Sequence, residues 1–139
     1  MSVVGTVPQI VPLHKAVDAR GNLSFFENGN SLPFAIKRTY WIYDVPGGES
    51  RGGHAFRETE EFVVALSGSF DVSLDDGNVR QVFHLNRSYY GLYIPRMYWR
   101  QMDNFSTNSL ALIVASTEFS EDDYIRDYDS FRTQRTAHD

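Results

Sequence analysis

Apolar and polar residues alternate in short runs along this chain. The runs "SFFE" (24–27), "FAIKRTYWIYDV" (34–45), "EFVVALSGSFDVSLD" (61–75), "VRQVFHL" (79–85), "YGLYIP" (90–95) and "SLALIVAST" (109–117) have period-2 character. That spacing turns one face of a strand to a core and the other to solvent. Turn-forming residues punctuate them: "ARGN" (19–22), "NGNS" (28–31), "VPGGES" (45–50), "SGS" (67–69), "DDGN" (75–78) and "LNRS" (85–88). "DDGN" between two runs predicts a hairpin, because Asp-Gly and Gly-Asn tolerate positive φ. Many short strands with regular turns predict an all-β barrel or sandwich. One stretch departs from this pattern. In "SEDDYIRDYDSFR" (120–132), Tyr124, Tyr128 and Phe131 fall at helical spacing with Ile125 beside them. This predicts a C-terminal helix capped by Ser120, with the following acids at its positive end. No repeat, low-complexity segment or second domain is visible, so residues 1–139 read as one domain.

Composition narrows the function classes. The 139 residues suffice for one sizeable core, and the 14% aromatic content, with 10 Phe and 8 Tyr, suits pleated half-buried surfaces. The net charge is -5, and the basic residues are scattered, which argues against a nucleic-acid footprint. With no cysteine there is no disulfide, thiolate metal site or thiol nucleophile. No basic-then-apolar leader is visible, and no apolar run approaches the ~20 residues of a membrane span. The expectation is a cytoplasmic protein with no membrane partner.

Two spaced motifs carry the candidate chemistry. In the first, five residues separate Gly48 from His54, Phe56 follows at the second position after it, four more residues lead to Glu61 and six more to Gly68. In the second, Pro95, Met97, Arg100 and Asn104 are spaced with one, two and three intervening residues. Together they resemble the two-part pattern of metal-binding cupins, across an intervening hairpin. Phe56 stands where that pattern has its second histidine, and Arg100 where it has its last. Neither binds a cation, and Arg100 places a permanent positive charge where a metal would sit. No metal is therefore expected, and the site is suited to an anion. A histidine such as His54 can titrate near neutral pH and is suited to acid–base work. Glu60 and Glu61 are adjacent, so they face opposite sides of a strand, and periodicity does not say which is solvated. Tyr40 is equally readable as a core residue. Phe56 reads first as core, an apolar wall that would lower the imidazole pKa and keep it neutral. His14, His84 and His138 carry no spacing signal.

Five segments make the resemblance more specific: "DARGNLSFFE" (18–27), "LPFAIKRTYWIYDV" (32–45), "RGGHAFRETEEFVVALSGSFDVSLDDG" (51–77), "GLYIPRMYWRQM" (91–102) and "STEFSEDDYIRDYDSF" (116–131). They resemble the sugar 3,4-ketoisomerases of the WxcM-like cupin family, which act on dTDP-4-keto-6-deoxyglucose. The resemblance implies a cupin jelly-roll barrel of antiparallel strands with a short C-terminal helix, usually a homodimer, with no cofactor. It implies a dTDP-linked keto-deoxysugar ligand and isomerisation between 4-keto and 3-keto forms through an enediolate. In that family a histidine pair at the positions of His54 and Phe56 serves catalysis, and only the first is present here. Read onto this chain, His54 is the base and Tyr40 the donor to the transient oxyanion. Arg100 offsets its charge, and Arg20, Arg51 and Arg57 are candidates for the diphosphate. Phe56 motivates the alternative of a non-catalytic nucleotide-sugar-binding homologue. Epimerase chemistry on the same substrate class stands further off, and a metal oxygenase furthest.

Overall fold

The computed structural model describes residues 7–137, so His138 lies outside the described residues. Twelve strands run in chain order: β1 (Gln9–Pro12), β2 (His14–Ala16), β3 (Leu23–Phe25), β4 (Arg38–Tyr43), β5 (Arg51–Phe56), β6 (Glu61–Ser67), β7 (Phe70–Asp75), β8 (Arg80–Leu85), β9 (Tyr90–Ile94), β10 (Trp99–Asp103), β11 (Leu110–Ala115) and β12 (Tyr124–Ile125). One helix, α1 (Tyr128–Ala137), follows. Two five-stranded sheets, ordered β1-β9-β6-β11-β4 and β12-β5-β10-β7-β8, make the jelly roll, and β2–β3 form a separate two-stranded ribbon. The strand pairings are antiparallel. The all-β architecture read from the alternation, and the jelly roll that the resemblance implies, are therefore the observed fold.

The predicted hairpin forms at Asp76–Asn78, between β7 and β8. Asp75 Oδ1 accepts from the Gly77 amide at 2.6 Å, and Asp76 Oδ1 accepts from the Asn78 and Val79 amides at 2.8 Å, so the acids close their own turn. The "SGS" turn has a different task. β6 and β7 lie in different sheets, and Gly68 carries the chain across at φ 69°. A Cβ there would lie 2.4 Å from Ser106 Oγ and 2.8 Å from Ser109 Cα, which only glycine avoids.

The helix begins later than the spacing of 120–132 predicts. Glu121–Asp123 is a single 3₁₀ turn, and Ser120 makes no side-chain cap bond. Tyr124 and Ile125 pair with Phe56 and Ala55 as β12. The cap is Asp127, whose carboxylate accepts from the Ser130 amide at 2.9 Å. A two-residue strand carries no periodicity, and an open edge on β5 outcompeted the local helical spacing.

Inward side chains of both sheets, among them Val63, Ala65, Phe70, Val72, Leu74, Leu85, Leu92 and Ile113, form the main core. Leu32 and Phe34 cover the outer face of the first sheet, over Phe62, Val64, Tyr93 and Val114. Phe131 of α1 packs on Ala55, Met97 and Ile125, so the helix braces the outside of β5. Among the described residues no helix is long and apolar enough to cross a membrane.

Candidate active site

Strand register sets the site at one end of the barrel. Arg38, Ala115, Glu61 and Ile94 lie side by side across β4, β11, β6 and β9. Tyr40, Ile113, Val63 and Leu92 form the next inward rung. Opposite them, Arg100 of β10 pairs with His54 of β5. These side chains surround a cavity of about 570 Å³, whose walls include Arg38, Tyr40, Arg51, His54, Glu61 and Arg100.

The imidazole of His54 is well placed to be a base. Its Nε2 is buried and has no hydrogen-bond partner among the described residues. A nitrogen without a protein partner is available to a ligand as donor or acceptor, according to the tautomer. Burial foremost, and then the charges of Arg100, Arg126 and Arg38, hold the pKa down at about 3, while the Gly52 backbone works the other way. The ring is therefore neutral at physiological pH. Gly52 has a second task. At φ 104° it lets β5 approach β10, where a Cβ would lie 3.0 Å from the Arg100 carbonyl oxygen.

Glu61, only 2% exposed, is the inward member of the Glu60–Glu61 pair. Its Oε1 accepts from Arg100 Nη1 at 2.6 Å, and its Oε2 accepts from the Tyr40 hydroxyl at 2.6 Å. Glu60 takes the opposite face and accepts from the Tyr93 hydroxyl. Burial and the Glu61 charge push the Tyr40 pKa up, so the phenol stays protonated. The Nε atoms of Arg38 and Arg100 are buried without partners among the described residues. Buried polar atoms without protein partners are uncommon, and these three, two guanidinium nitrogens and the His54 nitrogen, belong to residues that line one cavity.

Phe56 fills its place in the motif as packing. It is 1% exposed, meets the His54 ring edge-on at 4.9 Å and lies under the Arg100 guanidinium at 4.8 Å. Met97 holds the pattern's glycine position at φ 62°. Its amide donates to the Phe56 carbonyl at 2.8 Å and its carbonyl accepts from Arg135 Nε at 3.0 Å, bonds that offset the cost of a left-handed non-glycine residue. Among the described residues, no group of three His, Asp or Glu side chains is placed to hold a metal.

The candidate arginines part company. Arg100 and Arg51 line the cavity, whereas Arg20 and Arg57 do not. Arg51 stands an odd number of residues from His54, which on a regular strand would turn it away. A register shift between β5 and β10 at Arg100/Gln101 re-aims it. Arg20 lies on the exposed turn after β2, paired with Asp18 at 2.9 Å. Arg57 points to the C-terminal segment, donating to the Asp122 and Tyr124 carbonyls at 2.6 and 3.0 Å. With Asp123, which receives Thr59 Oγ1 and the Glu58 amide, it fastens that segment beside β5. The fastened segment contributes Phe119, Tyr124 and Arg126 to the cavity wall. Arg38 and Arg126 are the cations that the motif spacing missed. Period 2 back from Tyr40 points to Arg38, whereas a helical reading of 120–132 conceals Arg126.

Fold and site define a class: an antiparallel jelly roll whose lumen ends in a histidine ringed by arginines. The chain belongs to the WxcM-like family, whose FdtA (WxcM-like, C-terminal) profile it matches over residues 7–136. It is 40% identical over 124 residues, 89% of each chain, to the TDP-4-oxo-6-deoxy-alpha-D-glucose-3,4-oxoisomerase of Aneurinibacillus thermoaerophilus. Among solved structures it resembles a 3,4-ketoisomerase from Helicobacter canadensis, with TM-score 0.90 and 39% identity over 93% of this chain and 97% of that one. It also resembles QdtA, a sugar 3,4-ketoisomerase from Thermoanaerobacterium thermosaccharolyticum in complex with TDP, with TM-score 0.92 and 30% identity over 94% and 96% of the two chains.

Proposed function

We propose that this protein is a sugar 3,4-ketoisomerase acting on a dTDP-4-keto-6-deoxyhexose. The carrying observation is the unpartnered, buried Nε2 of a neutral His54 inside an arginine-ringed cavity. The ketone at C4 acidifies the hydrogen on C3. Nε2 takes that proton, the C3–C4 double bond forms, and the C4 oxygen becomes negative. The imidazolium returns the proton to C4, and the C3 hydroxyl proton passes to the C4 oxygen, which leaves the ketone at C3. Arg100 Nε–H is available to the negative oxygen. Arg38, Arg51 and Arg126 are assigned to the diphosphate, whose oxygens match guanidinium donors. The bound diphosphate would also offset the charges that weaken His54 as a base, so the ligand itself raises the imidazole's basicity.

The test is incubation with dTDP-4-keto-6-deoxyglucose, followed by proton NMR of the sugar. A 3-keto product supports the isomerase. Phe56 favours one rival, a protein that binds the nucleotide sugar without turning it over; saturable dTDP binding without product would favour it. A nucleotide-sugar substrate is consistent with placement in the cytoplasm.

We also infer a homodimer. β4 is a sheet edge whose outward Trp41 and Tyr43 are exposed, and the β2–β3 ribbon pairs only with itself among the described residues, with Leu23 and Phe25 exposed. Edge strands of this kind are usually covered. Arg20, which does not line its own cavity, would serve the ligand by entering a partner's. Light scattering at twice the monomer mass, lost in Trp41→Arg together with any Arg20-dependent dTDP affinity, supports both points.

A further inference from the structure

Glu61 lies in the wall of the cavity, and each of its oxygens already accepts a hydrogen bond from the protein. What it controls is the hydrogen-bonding sense of its two neighbours. Tyr40 spends its only proton on Oε2 at 2.6 Å, so the phenol can present only oxygen lone pairs to a ligand. Arg100 spends Nη1 on Oε1 at 2.6 Å, while Nη2 turns to the Tyr98 carbonyl at 3.3 Å. The guanidinium is thereby fixed with Nε–H unspent, on top of the Phe56 ring. The carboxylate comes from β6, the phenol from β4 and the guanidinium from β10, so Glu61 ties the two sheets together across the lumen.

We infer that Glu61 is a positioning residue that makes Tyr40 an acceptor and Arg100 a donor toward the substrate. This rests on the isomerase reading and reassigns one role within it. Tyr40 does not donate to the oxyanion; it accepts from the C3 hydroxyl of the bound 4-keto sugar, and that proton then passes to the C4 oxygen as the ketone forms at C3. Arg100 Nε–H meets the C4 oxygen. A carboxylate with two acceptor oxygens is required, because a carboxamide has only one acceptor and its NH₂ would turn the Tyr40 hydroxyl proton into the cavity.

Two variants test this. Glu61→Gln keeps the shape but leaves Arg100 without its counter-charge. Glu61→Asp keeps the charge, and folding with it, but is one methylene too short to span both partners. Each should lower kcat about tenfold or more with KM and dTDP affinity changed by about twofold or less. Tyr40→Phe combined with Glu61→Asp should be no slower than the slower single variant, because both act through one hydrogen bond. Wild-type kcat in folded Glu61→Asp, or fully additive losses in the double variant, would overturn the inference. A second readout does not need turnover. The Arg100 Nε–H signal in ¹⁵N NMR, assigned by its loss in Arg100→Lys, should shift when the dTDP-4-keto sugar is added to wild type and not when it is added to Glu61→Asp. Equal shifts in the two proteins would overturn the positioning role even in a chain that proves to bind without catalysis. Absence of product with wild type, by contrast, counts against the isomerase reading alone.

Discussion

The two ends of the barrel are made by the same strands. On β6 the inward positions are Glu61, Val63 and Ala65; on β4 they are Arg38, Tyr40 and Ile42; on β10 they are Arg100 and Met102. Moving along the lumen, charge and phenol give way to apolar packing around Phe70 and Leu85. One end is apolar packing, and the other accepts a buried ion pair between the sheets and three nitrogens without partners among the described residues. The difference shows that the site is a substitution within the core pattern, made without a separate structural unit. The apolar end maintains the geometry on which the charged end depends.

The sharpest way to separate the two ends is to make them alike. Replacing Glu61 with Leu and Arg100 with Met together should yield a protein as stable as wild type or up to about 4 kcal/mol more so, with no turnover. Either replacement alone should cost about 3–5 kcal/mol, because the surviving charge is buried without its partner. At the other end, Phe70→Ala should cost about 3–5 kcal/mol through the cavity it leaves, while the folded fraction keeps its kcat. Urea titrations paired with rates per folded molecule read both effects.

The next effect concerns ligand charge. Arg38→Ala and Arg126→Ala should each weaken dTDP binding by roughly 10- to 100-fold, as removal of a charge-assisted hydrogen bond does. Isothermal titration measures this directly, and unchanged affinity in both would remove the arginines from the diphosphate.

The low His54 pKa then predicts an unusual pH profile. A histidine base near its ordinary value of 6.5 would lose kcat/KM as the pH falls through that value, whereas one held at about 3 keeps a flat profile from about pH 8 to about pH 5. The stability consequence has a definite sign. Below 6.5 the unfolded chain binds a proton that the folded chain refuses until about pH 3, so stability declines across that window, by at most about 1.4 kcal/mol per pH unit from this group. His54→Asn should flatten that part of the decline.

Phe56→His is expected to do least for the rate. Phe56 is buried between His54, Tyr124 and Arg100 and does not line the cavity. A histidine there should fail to provide the roughly 10²-fold of an added general base, and should lower stability by about 1–3 kcal/mol if its second nitrogen finds no partner. A large rise in kcat would show that Phe56 had displaced a working base.

What was legible in the sequence follows from these contrasts. Alternation alone located β3, β4, β6, β7, β8, β9 and β11, and motif spacing brought His54, Glu61 and Arg100 into one place. It did not reveal β5 and β10 as a bulged pair, because their geometry depends on a backbone approach at Gly52 that no periodicity records. That bulge is why Arg51 faces the cavity while Arg57, at the same distance from His54 on the other side, does not. Arg126 was hidden for a related reason. Tyr124 and Ile125 fit a helical face in isolation, and only the open edge of β5 makes them a strand.

The central claim is that His54 alone moves a proton between neighbouring sugar carbons. Incubating wild type and His54→Asn with dTDP-4-keto-6-deoxyglucose in D₂O, and following the sugar by proton NMR, tests it most directly. Deuterium on the ring carbons and a 3-keto product are expected with wild type, and neither with His54→Asn, although that variant still binds dTDP. Exchange that persists in folded His54→Asn, or wild-type protein that binds dTDP and exchanges nothing, would contradict it.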